Sequence, residues 1–211
     1  MRRFLLLLLG CLTWPALAAA PSLSAPVLVL GDSLSAAHNI PLQSGWVHLL
    51  AERLHKMGSP RTVVNASISG ETSAGGLARL PALLTRHAPA VVVIELGAND
   101  GLRGLPLAAL RDNLAQMIEL AQQAGAKVLL VGIELPVNYG PRYRDGLRAV
   151  YRDLAAAHKV ALVPFLLEGV ALDATLMQAD GLHPTAAAEP RLLANVWPQL
   201  APLLQPVSPH G

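Results

Sequence analysis

The sequence predicts an α/β protein, a three-layer α/β/α sandwich built on a five-stranded parallel sheet. Three observations carry that prediction. Five short runs rich in Val, Ile and Leu lack period-two alternation, as strands covered on both faces should. Apolar stripes at helical spacing lie between them, and such alternation implies right-handed crossovers between parallel strands. The chain has 211 residues, 53% of them hydrophobic and 14% charged. That fills one domain of ordinary size and excludes a disordered or highly solvated chain.

The predicted strands are Val27 to Leu30, Thr62 to Asn65, Ala90 to Leu96, Lys127 to Ile133 and Val160 to Val163. Trp46, Leu49, Leu50 and Leu54 recur at helical spacing after the first of them. Leu107, Leu110, Leu114, Met117 and Ile118 form a second stripe, and Leu147, Val150, Tyr151 and Leu154 a third. Arg191 to Leu204 reads as a closing helix. Gly75-Gly76, after Thr72, either hinge a mobile substrate loop or begin a helix that needs tight packing. The tail from Gln205 to Gly211, with two prolines, is expected to fray.

Residues 1–18 read as a secretory signal peptide: Arg2-Arg3, the apolar run Phe4 to Leu9, and the small-residue end Ala16-Leu17-Ala18. A mature domain of residues 19–211 in the periplasm or outside the cell is therefore expected. The sixteen Lys and Arg residues include Arg2 and Arg3, so fourteen remain against fourteen acids. A neutral mature surface gives no electrostatic reason to expect nucleic acid or an anionic membrane as partner. The lone cysteine, Cys11, lies in the signal, which leaves the mature chain no disulfide and no thiol nucleophile. Leu8-Leu9-Gly10-Cys11 faintly resembles a lipoprotein box, but the apolar run ahead of it is short for lipidation, and no stable membrane anchor is expected.

In a parallel sheet, ligands bind beyond the carboxyl ends of the strands. Four loops there carry chemistry: Gly31-Asp32-Ser33-Leu34-Ser35, Ser67 to Thr72, Gly97-Ala98-Asn99-Asp100-Gly101, and Asp180-Gly181-Leu182-His183-Pro184. A serine hydroxyl at the sheet rim needs a base within hydrogen-bond reach to become a nucleophile. His183 can be that base for Ser33, with Asp180 accepting the other ring N–H and fixing the tautomer. An oxyanion needs donors, and the N–H groups of Ser33 and Gly70 with the Asn99 amide are the natural candidates. Asp32, Asp100 and Glu71 read as loop hydrogen-bond acceptors. Asn99 and Gly70 could also be plain turn residues.

Those blocks, in their order, resemble the SGNH (GDSL) hydrolases and, more narrowly, the periplasmic thioesterase I/lysophospholipase/arylesterase group of Gram-negative bacteria. Asn99 to Gly104 and Asn138-Tyr139-Gly140 are similar to stretches of that group. The resemblance spans nearly the whole mature chain. It implies a flavodoxin-like sheet and cofactor-free hydrolysis of esters and thioesters. It further implies Ser33, Asp180 and His183 as the triad, with Ser33, Gly70 and Asn99 as oxyanion hole. Two departures border the site. Ala37-His38 stands where the group usually has Gly-Tyr, and Ala98 where a second glycine is frequent.

The expected activity is that of an exported serine esterase acting on acyl thioesters, lysophospholipids and aryl esters through an acyl-enzyme on Ser33. The alternatives are a carbohydrate or cell-wall O-deacetylase of the same family and a non-catalytic acyl-binding carrier. Residues expected at the substrate site are His38, Gly75, Leu135 and Tyr139. His38 reads first as a polar rim residue, though it could compete as a base. The expected partner is a small-molecule or lipid acyl ester met by a monomer. No metal is expected, since the remaining histidines show no ligand spacing. There is no G-x-S-x-G elbow, no P-loop and no G-x-G-x-x-G.

Overall fold

The structure is a computed structural model that describes residues 24–205. The signal-peptide reading of residues 1–18, Cys11, and all of the predicted frayed tail except Gln205 lie outside the described residues.

Five strands form one parallel sheet: β1 (Val27–Gly31), β2 (Val63–Asn65), β3 (Val91–Glu95), β4 (Lys127–Val131) and β5 (Ala161–Val163), in the order β2-β1-β3-β4-β5. Every ladder is parallel, with Val27 opposite both Val63 and Val91. This is the flavodoxin-like order, whose switch point lies at the end of β1 between β2 and β3. Val27 to Leu30 and Val91 to Ile94 are fully buried, which is why these strands read as unbroken apolar runs.

The helices are α1 (Trp46–Lys56), α2 (Ser73–His87), the short α3 (Ala98–Leu102), α4 (Leu107–Gln123), α5 (Pro141–His158) and α6 (Glu189–Leu200). α1 packs on α6, while α2, α4 and α5 pack in series, giving one helical layer on each face of the sheet. The stripe Leu110, Leu114, Met117 and Ile118 is buried in α4, and Leu147, Val150, Tyr151 and Leu154 in α5. Arg53 lies 3.8 Å over the Trp197 ring, tying α1 to α6. Glu189 Oε2 accepts the Trp46 N–H at 2.7 Å, so the first turn of α6 caps α1, whose N-cap Gly45 has no side chain to do so.

The structure departs from the sequence reading in three places. The strands predicted at Ala90–Leu96 and Lys127–Ile133 end earlier, at Glu95 and Val131. The closing helix begins at Glu189 and passes into a 3₁₀ turn at Ala201–Leu204. Gly75 and Gly76 belong to α2 and not to a hinge. Thr72 caps the helix, its Oγ1 accepting the Gly75 N–H at 3.3 Å. A Cβ on Gly76 would lie 2.3 Å from Leu96 Cδ1, so α2 can approach the end of β3 only because Gly76 has no side chain.

Candidate active site

The loop after β1 is fixed by its own polar atoms. Asp32 Oδ1 accepts the Leu34 N–H at 3.0 Å, and the Asp32 carbonyl accepts the N–H of Ala36 at 3.0 Å. Ser35 donates to Glu95 Oε2 at 2.7 Å and Asn65 Nδ2 donates to the Ser35 carbonyl at 2.8 Å. A Cβ on Gly31 would meet both Glu95 Oε2 and Ser35 Cβ inside 3 Å, at 2.7 and 2.8 Å. A glycine is thus what lets strand end, loop and carboxyl close on one another. Ser33 stands at the top of this turn.

A small antiparallel bridge, Met177 to Pro184, carries the fourth loop. Asp180 divides its two oxygens. Oδ1 accepts the N–H groups of Leu182 and His183 at 2.9 and 3.0 Å, and Oδ2 lies 2.7 Å from His183 Nδ1. His183 Nε2 lies 2.8 Å from Ser33 Oγ. Burial acts to raise the Asp180 pKa, but the His183 ring and the two backbone N–H groups outweigh it and hold the carboxyl at about 2. A carboxylate can only accept, so Nδ1 carries the proton and Nε2 is left to accept from the Ser33 hydroxyl.

Behind this chain of bonds lie two buried carboxyls. Burial, reinforced by the Asp100 charge, pushes Asp32 up to about 6 against the opposing pull of the Leu34 N–H, His183 and Asn99. Burial and then the neighbouring Asp32 push Glu95 well above the carboxylate range. Asp100 accepts the Ser73 N–H and hydroxyl at 2.8 and 2.5 Å, so it secures the start of α2.

Of the three predicted oxyanion donors, two are unengaged. The N–H groups of Ser33 and Gly70 have no acceptor among the described residues. Gly70 adopts φ 82°, a region that favours glycine, and Arg103 donates to its carbonyl at 2.9 Å. Asn99 stands in the first turn of α3, and its amide nitrogen donates to Asp32 Oδ2 at 3.1 Å and to the Glu71 carbonyl at 2.9 Å. Both its hydrogens are therefore in use, and the third donor is held against its neighbours.

Ser33, Gly70, Asn99 and His183 line one cleft of about 260 Å³, together with His38 and Leu135. Ile133, Pro136, Leu167 and Leu182 add apolar walls to it. The other two residues expected at the substrate site are elsewhere. Gly75 lies in the first turn of α2, where a Cβ would meet Glu71 Oε1 at 1.9 Å. Tyr139 lines a separate hollow of about 370 Å³ with Leu107 and Tyr143, and its hydroxyl donates to the Leu102 carbonyl at 2.9 Å. It braces a residue of the cleft wall without lining the cleft.

Two residues were missed from sequence. Gln178 brackets the His183 segment: its N–H donates to the His183 carbonyl at 2.8 Å, and its amide donates to the carbonyls of Pro184 at 2.8 Å and His38 at 2.9 Å. No residue-type signal marks such a glutamine. Glu95 did leave a signal, a carboxyl closing an otherwise apolar strand.

Residues 29–189 match the model of the GDSL-like lipase/acylhydrolase family. The chain is 59% identical over 202 residues to esterase TesA of Pseudomonas aeruginosa, covering 94% of this chain and 98% of that protein. It is 46% identical over 178 residues to thioesterase 1/protease 1/lysophospholipase L1 of Escherichia coli K12, covering 84% of each. The crystal structure of the psychrotrophic esterase EstA from Pseudoalteromonas sp., inhibited by monoethylphosphonate, superposes with a TM-score of 0.81 at 39% identity, over 86% of this chain and 99% of that one.

Proposed function

Since the chain belongs to the GDSL-like lipase/acylhydrolase family and is an ester and thioester hydrolase, we propose that Ser33, His183 and Asp180 perform the reaction. The observation that carries this reading is the unbroken path from Asp180 Oδ2 through both His183 nitrogens to Ser33 Oγ, at 2.7 and 2.8 Å.

Ser33 Oγ attacks the substrate carbonyl while His183 Nε2 takes its proton, and Asp180 steadies the imidazolium that results. The carbonyl oxygen becomes an oxyanion beside the N–H groups of Ser33 and Gly70. Asn99 joins them by sharing a hydrogen it otherwise gives to Asp32 or to the Glu71 carbonyl. Each such donor is typically worth about 10²- to 10³-fold in rate. Collapse expels the alcohol or thiol, protonated by His183. Water deprotonated by the same nitrogen then releases the acid and regenerates Ser33.

The apolar wall of Ile133, Leu135, Pro136 and Leu167 supports a single hydrocarbon acyl chain as the occupant, more than the acetyl group of a deacetylase substrate. Acyl thioesters, lysophospholipids and aryl esters have that form. An exported location is part of the same reading, carried by Arg2-Arg3 and the apolar run behind them. Among the described residues no helix is long and apolar enough to cross a membrane.

Intact-mass spectrometry after exposure to a fluorophosphonate tests the nucleophile. One adduct on the native protein, mapped to Ser33 and absent from Ser33→Ala, is the expected result. An unmodified native protein would favour the non-catalytic carrier. N-terminal sequencing of the periplasmic protein, expected to begin near Ala19, tests export.

A further inference from the structure

The cleft holds a second imidazole for which the reaction above has no use. The His38 ring lies against the His183 ring, with centroids 4.3 Å apart and planes 39° apart. That is contact distance for two aromatic rings. The backbone is bent to put it there. Ala37 and Asn39, on either side of His38, take φ 55° and 56°, the left-handed region that residues other than glycine seldom enter. Asn tolerates it, whereas alanine has no side-chain hydrogen bond to offset the steric cost. Room for Ala37 comes from Gly45, where a Cβ would stand 2.9 Å from the Ala37 Cβ. Paired outliers of this kind persist only where the surroundings enforce them, and they gather at functional sites.

The peptide groups of His38 are fastened to both halves of the catalytic pair. Its N–H donates to the Ser33 carbonyl at 3.3 Å. Its carbonyl accepts from Gln178, the same amide that holds Pro184 beside His183. His38 Nδ1 lies 3.4 Å from Ser69 Oγ.

The need for such a support is local. Asp180 is exposed and sits on a loop with Gly181 at φ 66°, so the His183–Asp180 bond fixes one edge of the imidazole but leaves its plane free to rock about that bond. A rocking ring carries Nε2 away from Ser33 Oγ. A flat partner in tilted contact with the ring opposes that motion and leaves both nitrogens available.

We propose that His38 is a positioning residue, whose ring, in tilted contact with the His183 imidazole, holds the plane of that imidazole in line with Ser33. The proposal rests on the reading of Ser33 and His183 as nucleophile and base. It assigns the work to the ring of His38 and not to its nitrogens, so another flat ring should replace it and a small side chain should not.

Steady-state hydrolysis of a 4-nitrophenyl acyl ester by His38→Ala and His38→Phe tests it, with fluorophosphonate labelling of Ser33 and thermal unfolding measured on the same preparations. His38→Ala should lose about tenfold in kcat and in labelling rate with KM within about twofold, since misaligned reacting groups lose rate before affinity. His38→Phe should recover most of both. A loss of kcat in step with a rise in KM and a lower Tm would make His38 a folding residue and overturn the proposal. Full kcat in His38→Ala would overturn it too, as would a His38→Phe protein as slow as His38→Ala, which would assign the role to a nitrogen. In each of these cases wild-type labelling at Ser33 leaves the hydrolase reading intact. A wild type that takes no label overturns both.

Discussion

The Ser35 hydroxyl donates a 2.7 Å hydrogen bond to Glu95 Oε2, joining the nucleophile loop to the end of β3 across 60 residues of sequence. The same oxygen accepts the Asp32 N–H at 3.3 Å. Glu95 is fully buried, and burial together with the neighbouring Asp32 raises its pKa well above the ordinary glutamate value. It acts as an acceptor under the loop, and no ion pair is needed to explain it.

Glu95→Gln should therefore stay close to wild type in stability, since an amide oxygen can accept the same two bonds. Glu95→Ala removes the acceptor, strands the Asp32 N–H and the Ser35 hydroxyl, and opens a cavity. We expect a loss of about 2–4 kcal/mol and a lower kcat as the Ser33 turn loosens. Urea denaturation of the two variants checks the contrast. Equal losses in both would mean that the charge, and not the acceptor, is what the loop requires.

The position of Asn99 leads to a second expectation. Its amide is held between Asp32 Oδ2 and the Glu71 carbonyl, beside the unengaged N–H groups of Ser33 and Gly70. Asn99→Ala should lower kcat by about 10²- to 10³-fold with little change in KM, as for the loss of an oxyanion donor. Asp32→Asn should have a smaller effect of the same kind, because an amide facing the Asn99 amide turns it. An Asn99→Ala enzyme with wild-type kcat would confine the oxyanion hole to the two backbone donors.

Asp180, held at about 2, remains a carboxylate across the working pH range. Asp180 should then contribute nothing to an acid limb of kcat/KM, while the reaction needs a neutral His183 to accept the Ser33 proton. Lower pH means lower activity. Asp180→Asn presents an N–H₂ group to Nδ1, reverses the tautomer, and should cost up to about 10⁴-fold in kcat. A kcat/KM profile from pH 4 to pH 9 checks the first point and single-pH kinetics of the variant the second.

Much of this was legible in the sequence, and what was not has identifiable causes. β1 and β3 are buried on both faces, so their runs of Val, Leu and Ile announced them; β4 announced itself in the same way. The stripes of α1, α4 and α5 followed from one-sided burial. α2 was hidden because its N-terminal half contains Gly75-Gly76 and its middle Pro81, residues whose local preferences oppose a helix. Packing overrides them: Gly76 is needed against Leu96, and Leu80 and Leu84 are buried. At the site, the residues that do chemistry were visible because their types and order are informative. Gln178 and the tilt of His38 against His183 were not, since they depend on where a long loop returns in space.

Glu189 gives the fold a pH dependence of its own. Burial pushes its pKa up to about 7 from 4.5, opposed only in part by the Trp46 N–H it accepts. A carboxyl whose folded pKa is raised binds more protons folded than unfolded between those two values. Stability is therefore lost as pH rises from about 4.5 to about 7. The loss is on the order of 1–3 kcal/mol. Glu189→Gln keeps an acceptor for Trp46 and cannot ionise, so its stability should fall less than wild type over that window. Thermal unfolding of both proteins at several pH values measures the difference, and parallel curves would rule the effect out.

The apolar wall of the cleft should be adjustable in both directions from one contact. Leu135 is 3% exposed and lines the cleft, while Gly101 of α3 packs behind it. A Cβ on Gly101 would lie 2.8 Å from Leu135 Cδ1, too close for both to stay in place. Because that atom is the tip of a flexible side chain, Gly101→Ala should displace Leu135 toward the cleft and shorten it. Leu135→Ala should lengthen it, at a cost of about 2–4 kcal/mol for the buried methyl groups removed. With 4-nitrophenyl esters from acetyl to palmitoyl, the kcat/KM optimum should therefore move to shorter chains in Gly101→Ala and to longer ones in Leu135→Ala. A single methylene in such a pocket is worth roughly 1–3 kcal/mol of discrimination, enough to displace the optimum by more than one chain length. Shifts of the same sign in both variants would mean that the acyl chain leaves the site along another path than the one Leu135 borders.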